Sequence, residues 1–229
     1  MVIFMEIMFS IRGNSVQDAE KTINFLGYCL KKINTINSNI TSFYAQSEDL
    51  DEAMSHKLID ITGKRYEENL HFVDGSRGDV GAWSGDLDND ASVFLFSKEK
   101  QTVVTLNFYS DLKPIELLSK IKEVFINLNN DYELIFFNVN YPNANIVYPD
   151  RPSTSWMLFI KDTNFSEAKI DQAEVIENIE KDGVKIGELL ITTKNYDPKN
   201  IHHQNRSNDI DILLLGYHLL PKYKEIYVK

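Results

Sequence analysis

Cysteine is almost absent: Cys29 is the only one in 229 residues, so the chain can build neither a disulfide framework nor a thiolate metal site. A reducing compartment is the expectation. Long apolar runs are missing too, and no stretch approaches the roughly 20 residues that a membrane-spanning helix needs. The N-terminal MVIFMEIMFSI lacks a basic leader and an Ala-x-Ala-like cleavage site and carries Glu6, so it reads as a strand rather than a signal peptide. The chain is expected to be cytoplasmic, with no membrane partner. Basic clusters are scarce as well, the longest run being Lys31-Lys32 in a chain of formal net charge −10. Phosphate backbones require a basic face, which excludes direct nucleic-acid binding and favours a basic protein partner.

The motifs of catalysis are also lacking. There is no GxSxG elbow, no HExxH pair, and no glycine-rich loop between a strand and a helix. Asp86-Leu-Asp88-Asn-Asp90 imitates the opening of a calcium loop, but Ala91 stands where the turn glycine belongs and Ser97 where the bidentate Glu belongs. His202 and His203 are adjacent and point apart on a helix, with His218 remote from both. No catalytic residue, metal or cofactor is expected.

What is present is an ordinary globular composition, 43% hydrophobic and 25% charged, enough to bury a core. Val2 to Ile11 reads as a strand. Ser15, with Asp18 three residues on, caps a helix whose Ile23, Leu26, Leu30 and Ile33 form one buried face. Ile40 to Ala45 is extended, and Ser47 caps a brief helix with Glu48 and Asp49 in its first turn. Lys57 to Asp74 gives no clear period, KLIDIT and NLHFV reading either as short strands or as one irregular connector. SVFLF and TVVTLNF form a hairpin with Lys98, Glu99 and Lys100 at its tip.

Pro114 opens a helix with Ile115, Leu118, Ile121, Phe125 and Leu128 on its apolar face. Strands are expected over Tyr132 to Val139 and Ser155 to Lys161, and helical spacing over Asp171 to Ile179 until Gly183 breaks it. Val184 to Thr193 returns to β character, and Asp197-Pro198 opens a last helix ending near Gly216. The fold class is α+β with a largely antiparallel sheet and several packed helices. One domain is expected over 1–229, a compact body with room for two subdomains, and the proline-rich loop marks a seam near 140–153.

The least generic segment runs from Asp74 to Phe96. Gly75, Gly78, Gly81 and Gly85 allow tight turns, while Asp79, Asp86, Asp88 and Asp90 gather charge around Trp83 before a strand begins. Glu48, Asp49, Asp51, Trp83, Asp86, Asp88 and Asp90 are therefore the candidate partner-binding residues, carboxylates steering a cationic partner and the tryptophan serving as its anchor. Sequence spacing does not place the two segments side by side.

The order of motifs resembles the immunity protein 52 family of bacterial polymorphic toxin systems. The residues that carry the resemblance are FYAQSEDLDEAMSHKLID, GAWSGDLDNDASVFLF, TSWMLFI, DGVKIGELLITT and NYDPKNIHHQN, which together cover most of the chain. It departs at the glycine/aspartate stretch Asp74 to Asp90 and at the loop from Asn140 to Pro152. The resemblance implies a non-enzymatic cytosolic antidote to a cognate secreted toxin, commonly a restriction-endonuclease-type nuclease, whose basic surface the acidic protein occupies. A small hydrolase or transferase with an acid/histidine pocket is the alternative, and an assembly subunit is a third reading.

Overall fold

A computed structural model describes residues 2–13, 15–47, 49–73, 79–86, 90–98, 100–141 and 146–227. The chain divides into two compact units, one of Met1–Phe4 and Arg12–Leu112, the other of Met5–Ile11 and Lys113–Lys229. The 140–153 loop belongs to the second, and its residues 142–145 lie outside the described set.

The opening strand β1 (Ile3–Arg12) alternates buried and half-buried residues over most of its length, as a period-2 pattern with one core face should. In the first unit, helix α1 (Ala19–Asn34) buries Ile23, Leu26, Leu30 and Ile33, the expected face. Its N-cap is Asp18 rather than Ser15, with the Asp18 carboxylate accepting from Lys21 N at 2.8 Å. Ser15 instead donates its backbone N–H to Thr102 Oγ1 at 2.7 Å. Strand β2 (Ser42–Ala45) leads to the short helix α2 (Leu50–Ser55) and strand β3 (Lys57–Asp60). The stretch that gave no period becomes β3 and a 3-10 turn over Glu67–Val73.

Strand β4 (Asp79–Trp83) follows, then β5 (Ala91–Lys98) and β6 (Gln101–Ser110), which make the expected hairpin. Val80 and Ala82 of β4, Val93 and Leu95 of β5 and Val104, Leu106 and Phe108 of β6 are buried. Trp83, Ser92, Phe94 and Thr105 alternate with them and take the other face.

In the second unit, helix α3 (Pro114–Asp131) buries Leu118, Ile121, Phe125 and Leu128, but Ile115 is 55% exposed. At about 100° per residue Ile115 lies about 120° round the helix from Ile121, off the arc that holds Leu117, Leu118, Val124, Phe125 and Leu128. Phe125 packs edge-on against Phe137 and Phe159, with centroids 5.1 and 5.3 Å away. These rings come from β7 (Leu134–Asn140) and β8 (Met157–Lys161).

The helical spacing expected over Asp171 to Ile179 is overturned: Val175–Lys181 is strand β9, paired antiparallel with β10 (Val184–Ile191). The reason lies in the two-residue connection. Asp182 and Gly183 take φ of +53° and +75°, the left-handed pair that a tight hairpin demands. That turn sets Lys181 opposite Val184 and carries the pairing back to Val175 and Ile191, and the hydrogen-bond ladder outweighs a weak helical period. Lys181 Nζ then donates to the carbonyls of Asn129 and Tyr132, at 2.8 and 2.5 Å, satisfying groups at the C-terminus of α3.

The last long helix, α4, covers Ile201–Gly216, and a single turn, α5, covers Tyr223–Ile226. Asn200, not Asp197, caps α4, accepting from His202 N at 2.9 Å, while Asp197 accepts from Lys199 N in the turn before it. In the first unit the hydrogen-bonded strand order is β3-β2-β4-β5-β6, and in the second, which holds most of β1, it is β1-β7-β8-β10-β9. The class is α+β, and the described pairings are antiparallel.

Candidate functional site

In the first unit, β2 lies antiparallel to β4 with Tyr44 opposite Trp83 and Ala45 opposite Ala82. This pairing brings together the two acidic segments that the sequence leaves separate. The chain leaves β2 through Gln46 and Ser47 and enters α2, whose N-cap is Asp49 rather than Ser47. Asp49 Oδ1 accepts from Glu52 N at 3.0 Å, and Ser47 Oγ reaches Glu52 Oε2 at 2.5 Å. The far end of α2 is tied back, since Ala45 N donates to His56 O at 2.9 Å.

On the other side, Trp83 ends β4. Ser84 N donates to Ala91 O at 2.8 Å, and Ala91 N donates to Ser84 Oγ at 3.0 Å, closing the base of the loop that leads into β5. Gly85 takes φ +76° directly beneath the Tyr44 ring, where a Cβ would lie 2.4 Å from a ring carbon. Only glycine allows both the turn and the approach.

Between these walls lies a cleft of about 490 Å³ lined by Gln46, Ser47, Leu50, Ala53, Trp83, Asp90 and Ser92. Leu50 and Ala53 are three residues apart on α2, so both face the cleft along one side of the helix. Leu50 is 47% exposed. Trp83 is half-buried, and its ring centroid lies 6.3 Å from that of Tyr44. Among the described residues, the buried indole Nε1 finds no hydrogen-bond partner. Asp90 supplies the cleft's carboxylate; the residue is exposed, and partial desolvation, then the charge of Asp86, push its pKa above the usual carboxylate value. Lys57 Nζ lies 5.7 Å from the Tyr44 centroid, so the aromatic row already takes one ammonium group.

Of the residues singled out from the sequence, Trp83 and Asp90 line the cleft, and Asp86 acts on Asp90 from beside it. Asp49 is engaged in capping α2, and Asp51 is exposed in its first turn without lining the cleft. Glu48 and Asp88 lie outside the described residues, as do Gly75 and Gly78. Sequence reasoning passed over Gln46, Ser47, Leu50, Ala53 and Ser92. The Leu50-x-x-Ala53 spacing within an acidic helix was the available signal for an apolar wall there.

Cys29, His203 and Asp211 are tied into the structure. Burial pushes the Cys29 thiol far up, so it is no nucleophile at neutral pH. His203 Nδ1 accepts from Asp197 N at 2.9 Å and its ring lies 5.6 Å from Tyr196, which holds the start of α4, while His202 is exposed. Buried Asp211 accepts from Ser153 Oγ at 2.8 Å and from Thr154 N at 2.7 Å, anchoring the segment before β8 to α4. Among the described residues, no group of three or more His, Cys, Asp or Glu is arranged to hold a metal ion, and no helix is long and apolar enough to cross a membrane.

No protein-family model matches this chain, and no curated protein matches it in sequence.

Proposed function

We propose that the protein is a non-enzymatic antidote that binds and neutralises a toxin with a basic surface, in the manner of the immunity proteins that its motif order resembles. The observation that carries the reading is the cleft between α2 and Trp83: an aromatic anchor, an apolar wall and a carboxylate on one exposed surface of an acidic chain. A nuclease must present cations to its own substrate, and an acidic partner can occupy those cations directly. Restriction-endonuclease-type toxins are the favoured partner class, on the resemblance. The protein would act in the cytoplasm of the producing cell, where a secreted nuclease is dangerous.

The test begins with the neighbouring reading frame. A secretion module joined to a C-terminal basic domain is expected there. Co-expression of that domain with this chain should restore growth, and the two should co-purify as a complex that weakens with salt. A neighbouring toxin domain that kills equally with and without this chain would overturn the reading.

A further inference from the structure

We infer that the cleft between α2 and Trp83 is a receptor for one arginine side chain presented by the partner. The inference rests on the proposal that the partner is basic, and it adds which side chain is recognised and by which groups. Arginine is long, with an apolar stem and a planar cationic head, and each part meets a matching wall. Leu50, 47% exposed, offers aliphatic surface for the methylenes. The half-buried Trp83 offers a ring face for the guanidinium plane, and Asp90 offers a carboxylate for its N–H fork. Gln46, Ser47 and Ser92 add side-chain oxygens that can accept the remaining N–H donors.

The choice of arginine over lysine follows from shape and hydration. A guanidinium stacks on an indole and pairs with a carboxylate through two parallel hydrogen bonds, and it sheds water more readily than an ammonium ion. The volume of about 490 Å³ exceeds one side chain, which leaves room for the backbone that delivers it and for bridging water. The charge of Asp86 opposes that of Asp90, and an incoming cation offsets this repulsion.

The two tryptophans make the test direct. Trp156 is fully buried and donates its Nε1–H to Thr193 O at 2.8 Å, so its indole resonance serves as an internal reference for the fold. The 15N-labelled protein would be titrated with N-acetyl-arginine amide, the neutral isostere N-acetyl-citrulline amide, N-acetyl-lysine amide and calcium chloride. The Trp83 indole signal, assigned with Trp83→Phe, should shift saturably with the arginine compound in the millimolar range. Citrulline should bind at least about tenfold more weakly, lysine should fall between, and calcium should leave the signal unmoved. Asp90→Asn should weaken arginine binding by about tenfold with the Trp156 signal unchanged.

A Trp83 signal that does not move, moves equally with citrulline, or answers to calcium instead overturns the inference. Capture of a basic toxin by a protein whose cleft ignores arginine would overturn this inference and leave the antidote reading standing. Saturable arginine binding in a protein that neutralises no toxin would do the reverse.

Discussion

Tyr44 stands directly opposite Trp83 across the antiparallel pair β2 and β4, their ring centroids 6.3 Å apart and tilted by 52°. Side chains opposite one another on adjacent strands contact at every pleat, so this register fixes where the tryptophan sits relative to α2. The cleft exists because of that pairing.

Charge on the carboxylates of the 86–90 segment should govern the rate of encounter. Replacing Asp86, Asp88 and Asp90 together by Asn is expected to slow association with a basic toxin by about tenfold at low salt and to flatten the salt dependence. Trp83→Ala should act on dissociation instead, costing about 2 kcal/mol or more. Stopped-flow association and surface-based dissociation measurements separate the two, and the thermal transition of the Asn triple variant should be unchanged.

Gly85→Ala should be costly for its size. An alanine at φ +76° carries a left-handed penalty of about 1–2 kcal/mol, and its Cβ would press on the Tyr44 ring. Chemical denaturation should read that loss, while near-ultraviolet circular dichroism should report the disturbed tyrosine–tryptophan pair. A variant as stable as the parent would show that the loop relaxes freely.

Phe125 is enclosed by Phe137 and Phe159, so truncation to Ala should cost about 3–5 kcal/mol. Leu118→Ala should cost about 2–5 kcal/mol on the same helix, whereas Ile115→Ala should fall within a few tenths because Ile115 is solvated. Urea midpoints for the three variants test which face of α3 meets the sheet.

Asp211 should make stability depend on pH in the direction opposite to an ordinary carboxylate. Burial raises its pKa to about 6, the hydrogen bonds from Thr154 and Ser153 only partly offsetting that. The folded state therefore holds the proton more tightly than the unfolded chain between the ordinary value of 3.8 and about 6. The stabilisation from protonation is fully present below the ordinary value and is lost as pH rises through about 6. Measured as the difference between Asp211→Asn and the parent, the variant should gain about 2 kcal/mol in relative stability from pH 4 to pH 7. Comparing the two proteins cancels Glu174 and Glu188, whose pKa values lie below the ordinary range. Burial opposes both shifts. For Glu174 the chief lowering cause is the backbone bond from Lys194; for Glu188 it is the hydrogen bond from Lys185, and bonds from Ser166 add to it. A constant difference across that range would place the Asp211 carboxylate in contact with water.

The sequence by itself determined the class and most of the elements, because period and turn chemistry are local. The apolar spacing of Ile23, Leu26, Leu30 and Ile33 gives α1, and alternation through SVFLF and TVVTLNF gives the β5–β6 hairpin. It also singled out Trp83 and Asp90, a large aromatic and a carboxylate in a turn-rich stretch. Where local signals were weak or competing, only the tertiary structure decided. The Val175–Lys181 segment is a strand because β10 offers it a ladder, and Asp18, Asp49 and Asn200 cap their helices because of where the preceding chain enters. The cleft belongs to this second class. Gln46, Ser47, Leu50 and Ala53 are distant along the chain from Trp83, Asp90 and Ser92 and meet them through the register of β2 on β4, a long-range hydrogen-bonded pairing that no local pattern encodes.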